Sequence, residues 1–563
     1  MSPQHRTGAI SGSRQPTAID AIAERWLDTE VGLDPVLGTK LGRVESATTF
    51  GDYSPDGSAQ AAADARAVRS KLERAVPADR TDDITVRELR DRLDVRIARV
   101  ETGLALRDLT VLETPAQLIR QAFDLMPRAA EGDWEAIARR LAAVPAALSG
   151  YVQSLELGAS RGNGPARRQV LAVAAQADRF AVEYFSRLGE SANDAAQTWP
   201  SEGRALVAEV SEGARGAARA YASFARYLRE QLAPTANADD AVGRDHYALA
   251  ARDFLGTDID ADETYEWALV EIDRIAAEQR STAEAIAPGA SPAEAIALLD
   301  RDPQKTIHGE EALQRWLQER SDEAIEALDG TVFAIPGELR RLDCRIAPTS
   351  EGGIYYTAPS DDFARPGSMW WTVPAGVTEF RTWRELTTVY HEGVPGHHLQ
   401  LGGAVARRVE LNAWRRTRAG TSGHLEGWAL YAERLMAELG FLEDPGARLG
   451  MLDAQRMRAA RVVVDIGLHL GKHAPDGSVW TAERVYDFMA SNVTMRPEAL
   501  RFEVLRYLGW PGQASSYKVG ERQWLELRAE AESEPGFTLA SFHDRALSLG
   551  TLGLDTLQWA MRR

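Results

Sequence analysis

The sequence contains one cysteine, Cys344, in 563 residues. A single cysteine cannot form a disulfide within the chain, and it cannot assemble a metal site from several thiolates. The residues around it, 342–346, are typical of an ordinary strand. We therefore expect Cys344 to be a packing residue rather than a nucleophile.

Long apolar runs are also missing. No stretch approaches the ~18 consecutive apolar residues that a transmembrane helix requires. Residues 1–15 are polar and lack the apolar core of a secretory signal peptide. These features predict a cytoplasmic protein without a membrane partner.

Basic charge is in deficit, with 65 Lys and Arg against 83 Asp and Glu and a net charge of −18. Such a surface repels a polyanion, and no basic patch interrupts it, so we expect no nucleic-acid partner. Hydrophobic residues make up 44% and charged residues 26%, which is typical of an ordinary globular protein.

Helical periodicity dominates the rest of the chain. Apolar residues recur at helical spacing from Ile19 to Leu27, and similar stretches continue to about residue 330. Between about 331 and 375 the pattern predicts short strands, at 331–335, 345–346 and 353–357. The helical pattern resumes near Thr382. The sequence therefore predicts a mainly α protein with one small β-sheet just before the histidine motif.

The predicted domain organisation has a flexible N-terminal tail at 1–18, a helical half at 19–330 and a metal-binding catalytic half at 331–563. The breaks at 158–165 and 234–240 are short, so we interpret them as loops between helices. We expect both halves to form one continuous structural unit.

Three of the ten histidines, His391, His397 and His398, fall within eight residues. Imidazole is a common zinc ligand, and catalytic zinc sites use three protein ligands plus a water. The cluster therefore predicts a zinc site. Glu392 follows the first histidine directly. Because zinc lowers the pKa of a bound water, we predict that Glu392 is the general base that accepts its proton.

The spacing of these histidines does not fit a regular helix. In the motif His-Glu-x-x-His the histidines lie one turn apart, but here the fourth residue after His391 is Pro395. On a straight helix His397 points about 120° away, and His398 lies about 10.5 Å along the axis. Pro395 and Gly396 allow unusual backbone geometry, so we predict a bulged or kinked helix that brings His397 under His391. His398 is the alternative second ligand, or a residue that contacts substrate.

Several longer motifs carry a family resemblance. They are HEGVPGHHLQ at 391–400, Tyr355-Tyr356, 365–367, 426–431, 461–469, 510–514 and 516–518. With these motifs the chain resembles, over nearly its whole length, the bacterial family of domain of unknown function 885. That family is similar to helical zinc metallopeptidases of the gluzincin type, in which a glutamate on a following helix is the third ligand. The resemblance implies a large zincin-like helical body with a deep cleft and one zinc ion per chain.

Glu426 is the candidate third ligand. It lies off the apolar stripe of its helix, 35 residues after His391. Glu433, Asp465 and His469 are candidates for the outer layer that orients the metal ligands. His424 is a candidate for contact with substrate.

Tyr517 resembles the tyrosine that helical zinc peptidases bring over the metal, and we predict that it donates to the oxyanion of the tetrahedral intermediate. Tyr355 and Tyr356 are the second candidates, and their strand could pair with an extended peptide. Arg501, Arg506 and Lys518 could bind a terminal carboxylate, or they could be routine surface cations.

The leading functional prediction is a zinc metallopeptidase that cleaves short peptides by Glu392-assisted attack of a zinc-bound water. A non-peptide amide hydrolase is the alternative on the same site. Two His and one Glu also serve non-haem Fe(II) oxidoreductases, and such ligands accept manganese or cobalt too. The helical pattern and Glu392 argue against the iron enzymes. A non-catalytic metal-binding protein would have lost a ligand or the base, and this chain retains them all.

Overall fold

A computed structural model describes residues 14–198, 204–348 and 353–563. The fold is mainly helical, as predicted. Most of the predicted N-terminal tail, residues 1–13, lies outside the described residues. Within the described ranges, no helix is both long and apolar enough to cross a membrane.

Twelve α-helices precede the first strand in the described ranges. They are α1 (Ala18–Leu33), α2 (Pro35–Lys40), α3 (Pro55–Arg74), α4 (Arg80–Glu101), α5 (Pro115–Gln121), α6 (Glu131–Ser160), α7 (Arg167–Arg179), α8 (Phe185–Ala195), α9 (Arg204–Tyr227), α10 (Arg244–Leu255), α11 (Ala261–Ile286) and α12 (Pro292–Leu299). The predicted apolar face of 19–27 is buried on α1, and Thr17 caps its N-terminus through the Asp20 backbone N–H.

The helices that follow the first strand carry the histidine motif. They are α13 (Glu310–Leu328), α14 (Thr382–Glu392), α15 (His397–Ala406), α16 (Ala413–Thr417), α17 (Ser422–Glu438), α18 (Pro445–His469), α19 (Ala482–Asn492), α20 (Pro497–Gly509), α21 (Gln513–Glu532), α22 (Leu539–Ser548) and α23 (Leu554–Met561). Helix α14 begins at Thr382, as the periodicity predicts.

Five short strands form two small sheets: β1 (Thr306–His308), β2 (Leu342–Ile346), β3 (Tyr355–Thr357), β4 (Gly367–Trp371) and β5 (Glu379–Arg381). β2 pairs parallel with β4, and β3 pairs antiparallel with the other side of β4. This is the small sheet that the sequence predicts, and Cys344 is buried within it. β1 and β5 form a second, two-stranded sheet that the pattern did not indicate.

The predicted strand at 331–335 is wrong. These residues turn back on the end of α13, where the backbone N–H groups of 331–333 all donate to the Leu328 carbonyl. Phe333 and Ile335 are buried in the core. Their apolar character therefore reflects burial in a turn rather than strand pairing.

Separate apolar cores divide the chain. The largest gathers buried side chains from residues 247–561, together with Ile84. A second core draws only on residues 36–233, and a third joins α1 and α4 to Trp414 and Ala419. The largest core crosses residue 330 because α11 packs along α18. The predicted boundary at 330 therefore falls inside the core that surrounds the histidine motif.

The predicted bulged or kinked helix is a full interruption between α14 and α15. The Gly396 N–H donates to the Tyr390 carbonyl at 3.0 Å, which turns the chain out of the helix. A Cβ at position 396 would lie only 1.9 Å from the His391 carbonyl oxygen. Only glycine fits this approach, and the helix restarts at His397.

Helices α17 and α21 touch through their backbones. Ser422 bonds Ser516 near their N-termini and Glu438 bonds Arg528 near their C-termini, so the helices run parallel. A Cβ on Gly427 would lie 2.4 Å from the Gly520 carbonyl carbon. The close contact at Gly427 therefore fixes the distance between the adjacent residue Glu426 and helix α21.

We expect Gly427→Ala to destabilise the protein by about 1–3 kcal/mol, because the added methyl group must push two helix backbones apart. Urea unfolding measures this change. Gly132→Ala on α6 is the matched control, since a Cβ at 132 meets no atom within 4 Å. Equal stability of the two variants would contradict the proposed close packing.

Candidate metal centre

Three side chains converge where α14, α15 and α17 meet. His391 Nε2 lies 3.2 Å from Glu426 Oε2, and His397 Nε2 lies 3.6 Å from the same oxygen. One ligand atom from each residue lies within 4.8 Å of the other two. We call these residues the His–His–Glu triad. They are the three residues that the sequence predicts as ligands.

The spacing of the triad suits a tetrahedral metal ion. Zinc bonds of ~2.0–2.1 Å at tetrahedral angles place neighbouring ligand atoms about 3.4 Å apart. The distances of 3.2 and 3.6 Å lie on either side of that value. Two imidazoles and one carboxylate also leave a fourth position free, which is the arrangement of catalytic zinc sites. The residues present therefore fit a zinc ion.

Mutual electrostatics already polarise the triad. Burial would lower the pKa of His391, but its hydrogen bonds to Glu426 and Glu433 outweigh burial and raise the pKa to about 10. Burial would raise the pKa of Glu426, yet the two histidines hold that pKa far below its usual range. The ionised Glu426 therefore favours a positive charge, such as a proton or a metal ion, at the point where the three side chains meet.

His398 does not belong to the triad, although it follows His397 directly. Its Nε2 lies 2.8 Å from the Leu339 carbonyl and its Nδ1 lies 3.0 Å from the Tyr356 hydroxyl. Burial lowers the pKa of His398 to about 4. Because both nitrogens are engaged in a buried site, His398 is neither the second ligand nor a contact for substrate. The same bond buries the Tyr356 hydroxyl, so Tyr356 supports α15 instead of facing substrate.

Glu392 is almost fully buried, with 6% of its surface exposed. Its Oε2 has no hydrogen-bond partner in the part of the chain that the structure describes, and neither has Nδ1 of His397. Burial raises the pKa of Glu392, against the opposing effect of His397 and His391. A buried, unpartnered carboxylate oxygen beside the triad is free to accept a proton.

A chain of buried polar groups supports His391 from behind. His391 Nδ1 lies 2.8 Å from Glu433 Oε1, as predicted for an outer-layer acceptor. The Gln455 amide lies 3.3 Å from the other Glu433 oxygen, and Lys518 Nζ donates to Gln455 Oε1 at 2.7 Å. Lys518 also pairs with Glu271 at 3.0 Å. Lys518 is therefore a buried member of this chain and not a surface cation.

Tyr517 lies beside Glu426. It is one turn before Gly520 on α21, and the charge of Glu426 reaches it, adding to burial in raising the pKa of Tyr517. The Arg461 guanidinium lies 5.0 Å from the centre of the Tyr517 ring. Tyr517 is therefore a buried phenol whose electrostatic surroundings include Glu426 of the triad.

Three other predicted site residues lie in separate contacts. His424 is buried against Trp524, with its Nδ1 accepting from the Leu552 N–H. Asp465 accepts from the Tyr247 hydroxyl at 2.9 Å and from the Gly512 N–H. His469 Nε2 lies 3.0 Å from the Tyr507 carbonyl. None of these three contacts the triad, because each is enclosed by its own partners.

The predicted carboxylate-binding arginines are occupied or remote. Arg506 is buried and pairs with Glu503 at 2.7 Å. Arg501 has 67% of its side chain exposed and faces Glu498 and Tyr486. Neither contacts the triad among the described residues. Tyr355, by contrast, is 43% exposed and stacks on Trp370, so it presents an accessible aromatic surface.

Two residues that support the site were not predicted from the sequence. The Trp428 indole N–H donates to the Pro395 carbonyl at 2.9 Å and holds the interruption from the side of α17. Gln455 links Glu433 to Lys518. Trp428 falls inside the motif at 426–431, where a large polar-tipped aromatic beside a ligand is the available clue.

The fold and the triad define a mainly helical protein with a clustered His–His–Glu site. Residues 35–561 match the family described as bacterial protein of unknown function (DUF885), and the chain belongs to that family. No curated protein matches the chain.

Two solved structures share the fold. One is a candidate lipoprotein of Colwellia psychrerythraea, 20% identical, with a TM-score of 0.82 over 97% of this chain and 98% of the other. The other is a candidate lipoprotein of unknown function from Shewanella oneidensis, 18% identical, with a TM-score of 0.74 over 97% and 100%. At these identities the likeness extends to the fold alone.

The buried histidines away from the triad predict acid lability. Burial lowers the pKa of His543 to about 4. The Nε2 atom of this histidine lies 2.8 Å from the Tyr431 hydroxyl. The unfolded chain binds that proton near pH 6.5, so stability is full above this pH and is lost as the pH falls towards 4. At pH 5 the loss is about 2 kcal/mol for this residue.

We therefore expect the free energy of unfolding of His543→Gln to fall less than that of the wild type between pH 7 and pH 5. The two decreases should differ by about 2 kcal/mol, and urea unfolding at each pH measures them. His308→Gln is the control, because that histidine is exposed. An unchanged pH difference in His543→Gln would show that His543 takes up its proton without cost in the folded protein.

Proposed function

We propose that this protein is a zinc-dependent hydrolase that cleaves short peptides. The observation that carries the proposal is the His–His–Glu triad at tetrahedral spacing with the unpartnered Glu392 carboxylate beside it. A cluster that only stabilised the fold through ion pairs would not need an open fourth position beside its three side chains. A hydrolase needs both the open position and the base.

His391, His397 and Glu426 would hold the metal. A zinc ion there supplies Lewis acidity, which lowers the pKa of water and polarises a carbonyl group. Glu433 would keep the Nδ1 proton of His391 in place, so that Nε2 faces the metal.

Glu392 would act as the general base and then as the acid. It accepts a proton from the water whose oxygen bonds to the peptide carbonyl carbon, and it returns a proton to the departing amine as the C–N bond breaks. Burial raises the pKa of the Glu392 carboxyl, which strengthens Glu392 as the base of the first step.

Tyr517 would donate to the oxyanion that forms on the carbonyl oxygen. Its pKa is raised by burial, so it carries the proton that such a donor needs. The parallel crossing of α17 and α21 fixes this tyrosine relative to Glu426.

A peptide is the substrate class that the surroundings favour. Among strands in the described ranges, β3 pairs with β4 alone, which leaves one edge free to bond an extended chain. Tyr356 on β3 contacts His398, the neighbour of His397, so this edge lies close to the triad. The exposed Tyr355 ring is available for a side chain of the substrate.

The cytoplasmic location stays a prediction. The two similar structures are of candidate lipoproteins, and a lipoprotein is tethered to a membrane. The proposed chemistry depends on the triad and on Glu392, so it holds in either place.

The test is metal content by mass spectrometry together with hydrolysis of a peptide library. We expect about one zinc per chain in the wild type and a loss of metal in His397→Ala and Glu426→Ala. His398→Ala is the matched control and should retain zinc, because His398 contacts Leu339 and Tyr356 instead. Glu392→Gln should keep zinc and abolish cleavage. Carefully prepared wild type that binds no metal, or that binds iron and cleaves nothing, would overturn the proposal.

Glu433→Gln should weaken zinc binding about 10- to 100-fold, because the neutral amide no longer holds the His391 proton as strongly. Competition with a chelator measures this affinity. Glu438→Gln lies on the same helix and pairs with Arg528 at the surface, so it should leave the affinity unchanged. If both variants bind zinc as the wild type does, Glu433 has no part in the metal site.

A further inference from the structure

Arg458 on α18 is a cation without a partner. It makes no hydrogen bond or ion pair with any residue in 14–198, 204–348 or 353–563, and its Nε is buried without an acceptor. Its neighbours differ. Arg456 bonds Gln279 and Asn492, and Arg461 bonds Tyr507 and Glu503. Arg458 thus stands apart from the arginines on either side of it.

The position of Arg458 on its helix directs it towards the candidate site. Gln455, one turn before it, bonds Glu433, which bonds His391. Arg461, one turn after it, lies over the Tyr517 ring. Residues three apart share a helix face, so Arg458 lies between the support of His391 and the proposed oxyanion donor.

Electrostatics agree with this placement. The positive charge of Arg458 acts to lower the pKa of Glu392, of Glu433 and of Tyr517. Arg458 is partly exposed, as are Tyr517 and Glu426. Each of these three side chains therefore has part of its surface open to solvent.

A guanidinium keeps its charge at any ordinary pH, and its planar fork matches a carboxylate with two parallel hydrogen bonds. A partly buried guanidinium without a counterion is costly to maintain. Glu503 already pairs with both of the nearby arginines, Arg461 and Arg506. Arg458 is the remaining cation on this face, and a group that arrives with the substrate can supply its counterion.

We propose that Arg458 binds the free C-terminal carboxylate of a short peptide. The proposal rests on the proposed function and narrows it to cleavage near the C-terminus. Every unmodified peptide carries this carboxylate, so the contact selects chain ends instead of a particular sequence. Glu392 and Tyr517 would then act on a peptide bond close to the anchored end.

The test uses Glu392→Gln protein, in which turnover is blocked. Two matched libraries of N-acetylated tripeptides, one ending in a carboxylate and one in a carboxamide, are compared by affinity selection and mass spectrometry. We expect the carboxylate series to bind and the carboxamide series to bind roughly 10- to 100-fold more weakly. Adding Arg458→Gln should reduce carboxylate binding to the carboxamide level, and Arg458→Lys should restore part of it.

Arg456→Gln on the same helix is the matched control and should leave binding of both series unchanged. Thermal unfolding and zinc content should stay the same in Arg458→Gln. If Arg458→Gln unfolds or loses zinc, the comparison is made with Arg458→Lys, which keeps the charge. Equal binding of the two series by folded, zinc-loaded Arg458→Lys would then overturn the inference.

Other outcomes separate this inference from the proposed function. Equal binding of both series, or carboxylate binding that survives Arg458→Gln, overturns the inference and leaves the hydrolase proposal intact. A kcat that falls equally for carboxylate and carboxamide substrates in Arg458→Gln, with binding unchanged, would make Arg458 an oxyanion donor and also overturn it. If neither series binds and the wild type cleaves no peptide, both proposals fail together.

Discussion

The interruption of the helix at residues 393–396 is the constraint on which the site depends. A continuous helix would place His391 and His397 on different faces. The break turns the chain around Gly396, whose backbone packs against the His391 carbonyl where no side chain fits. Trp428 then donates to the Pro395 carbonyl from the helix that carries Glu426. The residue that locks the break and the third member of the triad thus move as one unit, because they are two positions apart on α17.

Burial sets the chemistry of the groups around that break. Glu433 is buried and would be costly to keep charged alone, but His391 and Gln455 satisfy both of its oxygens. Lys518 completes the chain and is balanced in turn by Glu271. Glu433 and Lys518 therefore have partners, whereas Glu392 Oε2, His397 Nδ1 and Arg458 Nε have none in the described part of the chain. Structural groups are satisfied in the free protein, and the open groups are those that a substrate or water can use.

The triad was predictable from sequence because its signal is local. The residue types at 391, 392 and 397 and the Pro-Gly between them lie within one short segment. Glu426 was predicted from its place off the apolar stripe of its helix together with the family resemblance. The partners of His398 were not predictable, since Leu339 and Tyr356 are distant in sequence and meet it only through the tertiary fold. The predicted contacts of His424, Asp465 and His469 were wrong for the same reason. A polar residue within a motif does not reveal which neighbouring helix its side chain contacts. The strand predicted at 331–335 failed because burial of Phe333 and Ile335 in a turn gives the same apolar pattern as a strand.

The separation of the cores has a consequence for how this protein tolerates change. The apolar residues that flank the triad, among them Val394, Leu399 and Trp428, all belong to the largest core. The core of residues 36–233 shares none of them. Replacements there alter packing that the metal site does not share, so the N-terminal helices can diverge, lengthen or change their surface while the triad keeps its shape. The fold thereby keeps the packing around the metal site separate from packing that can change without reaching it.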